Sequence, residues 1–325
     1  MRSLFSVLSP AGQRARLTVL IFHRVLPAPD PLIPDEIDAQ RFDRVCSWMA
    51  RWFNVMPLPQ AAQALRELRL PARAACVTFD DGYADNHDIA LPILQRRGLT
   101  ATFFIATGFL DGGVMWNDML IDAVRHASSG TLELLDCGLP GIGQLPVQTL
   151  QERRAAIGAL LNAAKYLPVV ERAAAVERVT RAAGVQQRPS PMMGSAQVQA
   201  LHVAGMTIGA HTVSHPILAR LQPSEAASEI AASKQHLEGL LQSRVSVFAY
   251  PNGRPARDYV GASVDAVRDA GFDAAVTTAA GAAASGTDLL QIPRFTPWDH
   301  GKAAFGLRLA RVLATRRGAN QPVAA

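Results

Sequence analysis

Apolar positions along this chain follow two rhythms. One is the unbroken run: Leu17 to Phe22 (LTVLIF), Ala74 to Phe79 (AACVTF) and Ala101 to Ala106 (ATFFIA) hold nothing more polar than threonine. Strands buried on both faces of a parallel sheet read this way. Further strands are expected at Met206 to Ala210, Val245 to Tyr250, Ala274 to Thr278 and near Ile292 to Phe295. The other rhythm is helical and falls between the runs. Asp38 to Trp52 places Phe42, Val45, Trp48 and Met49 on one side, and Pro223 to Leu241 does the same with Ile230, Leu237 and Leu240. Leu58 to Leu68, Ile89 to Arg97 (closed by Gly98), Ser195 to Val203 and Val260 to Ala270 are predicted as helices too. Strand alternating with helix predicts an α/β protein with a parallel sheet, and about seven such units suit a closed or nearly closed barrel. A doubly wound open sheet is the alternative.

From Asp111 to about Ser190 the rhythm changes. Gly-Pro loops at Gly138 to Pro146 precede an Ala-, Glu- and Arg-rich segment, Leu150 to Gly184, expected to be helical with a break near Pro168. Residues 111–190 therefore read as a helical insert or lid within a single domain spanning 1–325. Ala303 to Arg317 forms a basic tail helix, with Phe305, Leu309 and Val312 on one side and Arg308, Arg311, Arg316 and Arg317 near the other. Docking of the apolar side on the barrel is one reading, and weak contact with an anionic membrane surface is the other.

Composition narrows the classes. The chain has 325 residues, of which 49% are hydrophobic and 18% charged, enough to bury one large core. Its formal charge is +5, but the arginines are scattered and form no nucleic-acid module, so nucleic acid is excluded as a partner. Cys46, Cys76 and Cys137 lack any CxxC spacing and read as buried free thiols. Met1 to Gly12 lacks a long apolar core and a cleavage site, so it is expected to be retained, and the cytoplasm is the expected compartment, peripheral to the inner membrane face if the tail helix engages it.

The residues capable of chemistry follow the strands directly. His23 comes after LTVLIF, Asp80 and Asp81 after AACVTF, and His211 after MTIGA. In a parallel barrel these strand ends meet on one face. Asp-Asp-Gly is ordinary turn chemistry, but adjacent carboxylates can also divide two tasks, one binding a cation and the other taking a proton from water. His211 and His215, at i and i+4, can face one ion if the segment coils, although such pairs are also often structural. Two imidazoles and one carboxylate leave positions open for water and substrate.

In this order, VTFDDGYADN (Val77 to Asn86), GAHTVSHP (Gly209 to Pro216) and FAYPNG (Phe248 to Gly253) resemble the leading motifs of the NodB-like polysaccharide deacetylases. LIFHRV near the start, Ala101 to Phe104 with Thr107-Gly108, Trp116-Asn117-Asp118 and IPRF at Ile292 to Phe295 extend the likeness. The resemblance implies a distorted (β/α) barrel that hydrolyses N-acetyl groups on an amino-sugar polysaccharide or oligosaccharide. It implies that Asp81, His211 and His215 hold a divalent metal, usually zinc, and that Asp80 is the general base. Backbone N–H groups near Tyr83 or Asn252 would share the oxyanion. The chain departs from the common pattern at position 249, where alanine stands in place of an arginine. It resembles instead the exopolysaccharide poly-N-acetylglucosamine deacetylases, in which an aromatic-histidine pair at the first strand supplies the acid. Phe22-His23 fits that pair, with Arg294 replacing the missing arginine beside Asp80 and His300 as the competing acid. Tyr83, Trp116, Tyr250 and Trp298 are candidates for stacking on sugar rings. Two other functions stay open: an amidase or esterase of the same fold on a non-glycan acyl substrate, and an inactive carbohydrate-binding homologue.

Overall fold

The computed structural model describes residues 1–128, 130–185, 190–315 and 323. Seven strands form the frame: β1 (Thr18–Phe22), β2 (Ala74–Phe79), β3 (Thr102–Ile105), β4 (Thr207–Ala210), β5 (Val247–Ala249), β6 (Ala274–Ala280) and β7 (Ile292–Arg294). They pair in that order and every pairing is parallel. Just past β7, Phe295 N–H donates to Val19 O at 2.7 Å and Phe295 O accepts from Ile21 N–H at 3.1 Å. The last strand thus returns to the first, and the sheet is a nearly closed, distorted (β/α) barrel.

Side chains alternate between two apolar clusters, as the two-residue period of a strand requires. Ala74 and Cys76 of β2 join Val19, Phe104, Val247, Ala249, Val276 and Ile292 in the barrel interior, floored by Leu58, Ala61 and Leu65 of the helix Leu58–Arg66. Ala75, Val77 and Phe79 face the outer layer, with Phe42, Leu94 and Phe103. The interior is full. A Cβ at Gly209 would stand 2.4 Å from Cδ1 of Phe104, so only glycine lets β4 pass that ring. The inward parity of Ala74, Cys76 and Thr78 carries on to Asp80 at the strand's C-terminal end.

Several elements differ from expectation in detail. Strand ends move by one or two residues, and Asn54–Val55 adds a short strand beside β2. The helix expected at Ile89 to Arg97 is a wide turn, Asn86–Ala90, followed by Leu91–Arg96. Pro92 has no N–H and its ring crowds the carbonyl four residues back, and the wider turn accommodates both. The helix Arg2–Leu8 was not expected, and its buried Phe5 packs 5.7 Å from Trp52 and 4.8 Å from Phe53, ring centre to ring centre. The helix Lys302–Ala314 buries Phe305, Leu309 and Leu313, with Leu313 in the place expected for Val312. Phe305 lies 5.4 Å from Trp48 and 5.9 Å from Phe295, so the apolar stripe packs on the barrel. Arg316 and Arg317 lie outside the described residues. Among the described residues no helix is long and apolar enough to cross a membrane.

A second compact unit consists of Gly112–Met192 together with Pro29–Glu36. Its helices are Trp116–His126, Leu150–Ala164 and Val169–Ala182, with the break at Pro168. A hairpin, Thr131–Glu133 with Gln144–Pro146, completes it. Leu120, Val124, Leu160, Val176 and Val179 form its own core. The strip Pro29–Glu36 is tied in by Asp30 to Arg125 at 2.5 Å and by Pro31 O to Arg154 at 2.6 Å.

Candidate metal centre

The interior parity of β2 and β7 makes the first contact of the site. Asp80, at the end of β2, meets Arg294, the last residue of β7, in a two-pronged pair with Nη1 to Oδ1 at 2.7 Å and Nη2 to Oδ2 at 2.6 Å. Arg294 also donates to Thr277 O at 2.8 Å and Thr78 Oγ1 at 3.2 Å, which fixes the guanidinium plane. Both partners are buried. Burial pushes the Asp80 carboxyl up, but Arg294 and His211 outweigh it and hold the group below the usual carboxylate range. Asp80 is thus an ionised carboxylate in a desolvated site.

Asp81 leaves the strand parity because its φ is +77°, a left-handed turn that non-glycine residues adopt at a cost. That turn swings its carboxylate toward the end of β4, where His211 continues the strand's inward side. Thr212 and His215 are also left-handed, at φ +65° and +52°, and curl the chain so that both imidazoles face one point. Asp81 Oδ1 lies 3.3 Å from His211 Nε2 and 3.4 Å from His215 Nε2. The ligand atoms of the three side chains all lie within 4.8 Å of one another.

These distances suit a shared cation. Tetrahedral ligands at ~2.1 Å from an ion stand about 3.4 Å apart. Asp81 Oδ1 is buried and accepts no well-formed hydrogen bond, although two ring nitrogens lie beside it. His211 Nδ1 is bonded at 2.7 Å to Ala249 O, which can only accept, so the proton sits on Nδ1 and the Nε2 lone pair faces the centre. Burial pushes His215 down to about 4, leaving it neutral and able to ligate. Burial also works against charge on His211, but Asp81, Asp80 and Ala249 O outweigh it and raise the group. Burial pushes the Asp81 carboxyl up, but His211, His215 and His23 outweigh it and hold the group far below the usual range. Two buried carboxylates face one fixed cation, Arg294, so the pocket attracts further positive charge.

The sequence profile of the family described as polysaccharide deacetylase matches residues 68–129 and 163–275, more than half of the chain. The chain belongs to the polysaccharide deacetylase family. It is 22% identical over 296 residues to the Bacillus subtilis (strain 168) polysaccharide deacetylase homologue YxkH, covering 90% of this chain and 75% of that protein. Its fold is similar to that of the Streptococcus pyogenes deacetylase PplD, solved with acetate, with a TM-score of 0.58, 19% identity, and coverage of 87% of this chain and 92% of the other. IcaB from Ammonifex degensii gives a TM-score of 0.56 at 18% identity, covering 94% of this chain and 99% of IcaB. The family assignment makes this protein a deacetylase enzyme.

The remaining candidates in this deacetylase are distributed unevenly. His23 is exposed just past β1. His300 is exposed beside Asp299, whose carboxylate is held by Arg308. The stacking role expected of Tyr250 does not hold, because its ring is fully buried and packs 4.1 Å from Tyr259. The Tyr83 ring is only 2% exposed and lies under the Arg24 guanidinium, so it offers no face to a sugar either. Trp116 belongs to the helical unit, where Arg172 covers its ring at 5.0 Å. Trp298 is 63% exposed. Asn252 sits in a tight turn at φ +58°, and its carbonyl accepts from Thr278 Oγ1 at 2.7 Å. A Cβ on the next residue, Gly253, would lie 2.9 Å from Thr278 N, so the turn can press against β6 only with glycine there.

One supporting residue escaped the sequence reading. Glu229, on the helix Pro223–Leu241, accepts from Val213 N–H at 2.8 Å, Ser214 N–H at 2.9 Å and Ser214 Oγ at 2.7 Å. It braces the coil between the two histidines. Nothing in the local pattern marks it, because a glutamate on a polar helix face is the ordinary outcome.

Proposed function

We propose that this protein is a metal-dependent hydrolase that removes N-acetyl groups from an amino-sugar polysaccharide or oligosaccharide. The observation that carries the reading is the meeting of Asp81, His211 and His215 at cation spacing, beside an Asp80 that Arg294 keeps ionised. Asp81, His211 and His215 would hold the ion, with zinc the best match to two imidazoles and a carboxylate. When bound, such an ion lowers the pKa of water to about 7 and acts as a Lewis acid toward an acetamide carbonyl.

The chain's own groups then divide the work. Asp80 takes the proton of the attacking water as the new C–O bond forms. Backbone N–H groups near Tyr83 or Asn252 share the negative charge that develops on the carbonyl oxygen. His23 gives a proton to the departing amine nitrogen as the C–N bond breaks, releasing acetate and the free amino sugar. Its place past β1, next to the strand that ends in Asp80, favours it over His300. The Phe22-His23 pair, the alanine at 249 and the use of Arg294 support an exopolysaccharide of the poly-N-acetylglucosamine type as substrate.

The test is acetate release by the zinc-loaded protein from N-acetylglucosamine oligomers, compared with acetylated xylan and a cyclic imide. Release from the N-acetylated oligomers is expected. Acetate from xylan alone would move the substrate to O-acetyl esters, and hydrolysis of the imide alone would remove the carbohydrate reading.

A further inference from the structure

Asp85 and Asn86 close the VTFDDGYADN motif, and the chemistry above gives them no task. Both are buried, Asn86 completely. Their side chains grip the segment that carries His23. Asn86 Nδ2 donates to His23 O at 2.8 Å and to Asp85 Oδ1 at 3.1 Å. Asp85 Oδ1 accepts from Val25 N–H at 3.0 Å, and Oδ2 accepts from Arg24 Nε at 2.9 Å. Arg24 in turn lies 4.6 Å over the ring of Tyr83. On the other side of His23, Phe22 O accepts from Asp80 N–H at 2.9 Å.

An exposed imidazole has rotamer freedom, so what fixes its reach is the placement of its backbone. Here the carbonyl before His23, its own carbonyl and the N–H two residues on are all held by residues 80, 85 and 86. These belong to the same loop that supplies Asp80 and Asp81. Asn86 also opens the wide turn Asn86–Ala90, a form that recurs at functional sites. We infer that Asp85 and Asn86 are positioning residues for the general acid, locking the His23 backbone to the loop of the base and the metal ligand. The inference rests on the acid role of His23 proposed above.

The test exploits the leaving group. An amine must be protonated as it departs, whereas the nitrophenolate of 4-nitrophenyl acetate leaves without a proton. With zinc-loaded protein, Asn86→Ala is expected to lower kcat on N-acetylglucosamine oligomers by about 10²-fold, the usual cost of misplacing a reacting group. Its rate on 4-nitrophenyl acetate is expected to fall less than about threefold, and its zinc content to stay at the wild-type level. His23→Ala should show the same split, and adding Asn86→Ala to it should cost little more, because the two act through one proton transfer. Asp85→Asn keeps the shape of the side chain and weakens the hold on Arg24. It is expected to give a smaller loss of the same kind, and it serves if Asn86→Ala does not fold. Equal losses on both substrates in these variants, or losses that multiply with that of His23→Ala, would overturn the inference while leaving the acid role intact. If His23→Ala itself shows no split, the acid role fails and takes this inference with it.

Discussion

Replacing Arg294 with methionine removes the guanidinium while keeping an unbranched side chain of similar reach. The pair it breaks is fully buried and two-pronged, at 2.7 and 2.6 Å, and the variant also strips a donor from Thr277 O. Removing one partner of such a pair costs roughly 3–5 kcal/mol, because the other charge stays desolvated. The sign with pH follows from Asp80. In the wild type its carboxyl lies below the unfolded value near 3.9, so its contribution stands above that pH and is lost as pH falls toward the folded value. In Arg294→Met burial acts with less opposition and is expected to raise the group. The deficit should therefore be largest near pH 7 and shrink toward pH 4 as Asp80 takes up a proton. Urea unfolding at several pH values, for wild type, Arg294→Met, Asp80→Asn and the double variant, measures both effects. A coupling energy of about 2 kcal/mol or more is expected between the two sites at pH 7. Additive losses, or a deficit below about 1 kcal/mol that does not change with pH, would refute the reasoning.

Other outcomes follow from the same geometry. Asp80→Asn should retain zinc measured by atomic absorption yet lose roughly 10²-fold or more in acetate release, whereas His215→Ala should lose the metal as well. Glu229→Gln should weaken zinc binding by about 10–100-fold in a chelator competition titration, since it loosens the brace on the coil between the histidines. Gly209→Ala drives a methyl into Phe104 and should cost roughly 1–3 kcal/mol in thermal or urea unfolding, without touching any ligand.

The frame was legible because buried parallel strands need unbroken apolar runs, and AACVTF and MTIGA each end at a residue of the centre. Asp80, Asp81 and His211 were legible for the same reason, being the first polar side chains after those runs, and His215 by its spacing of four from His211. What escaped was set by tertiary packing. The burial of Tyr250 against Tyr259 depends on a residue nine positions away and carries no periodic mark. The hairpin at Thr131–Glu133 and Gln144–Pro146 is too short to outweigh its glycines and prolines. The strip Pro29–Glu36 joins the helical unit through contacts nearly a hundred residues distant, at Arg125. Asp85 and Asn86 carried no mark of their contacts, because their partners, the Arg24 side chain and the backbone of His23 and Val25, lie about 60 residues earlier.

The closing strand carries more than topology. Until β7 docks along the seam at Val19 and Ile21, Asp80 has no guanidinium against it, and a carboxylate facing an apolar interior resists being dried. Electrical neutralisation of Asp80 and mechanical completion of the barrel are therefore one event, so a nascent chain that has not yet delivered its final strand holds a water-loving gap beside Asp81 and His211.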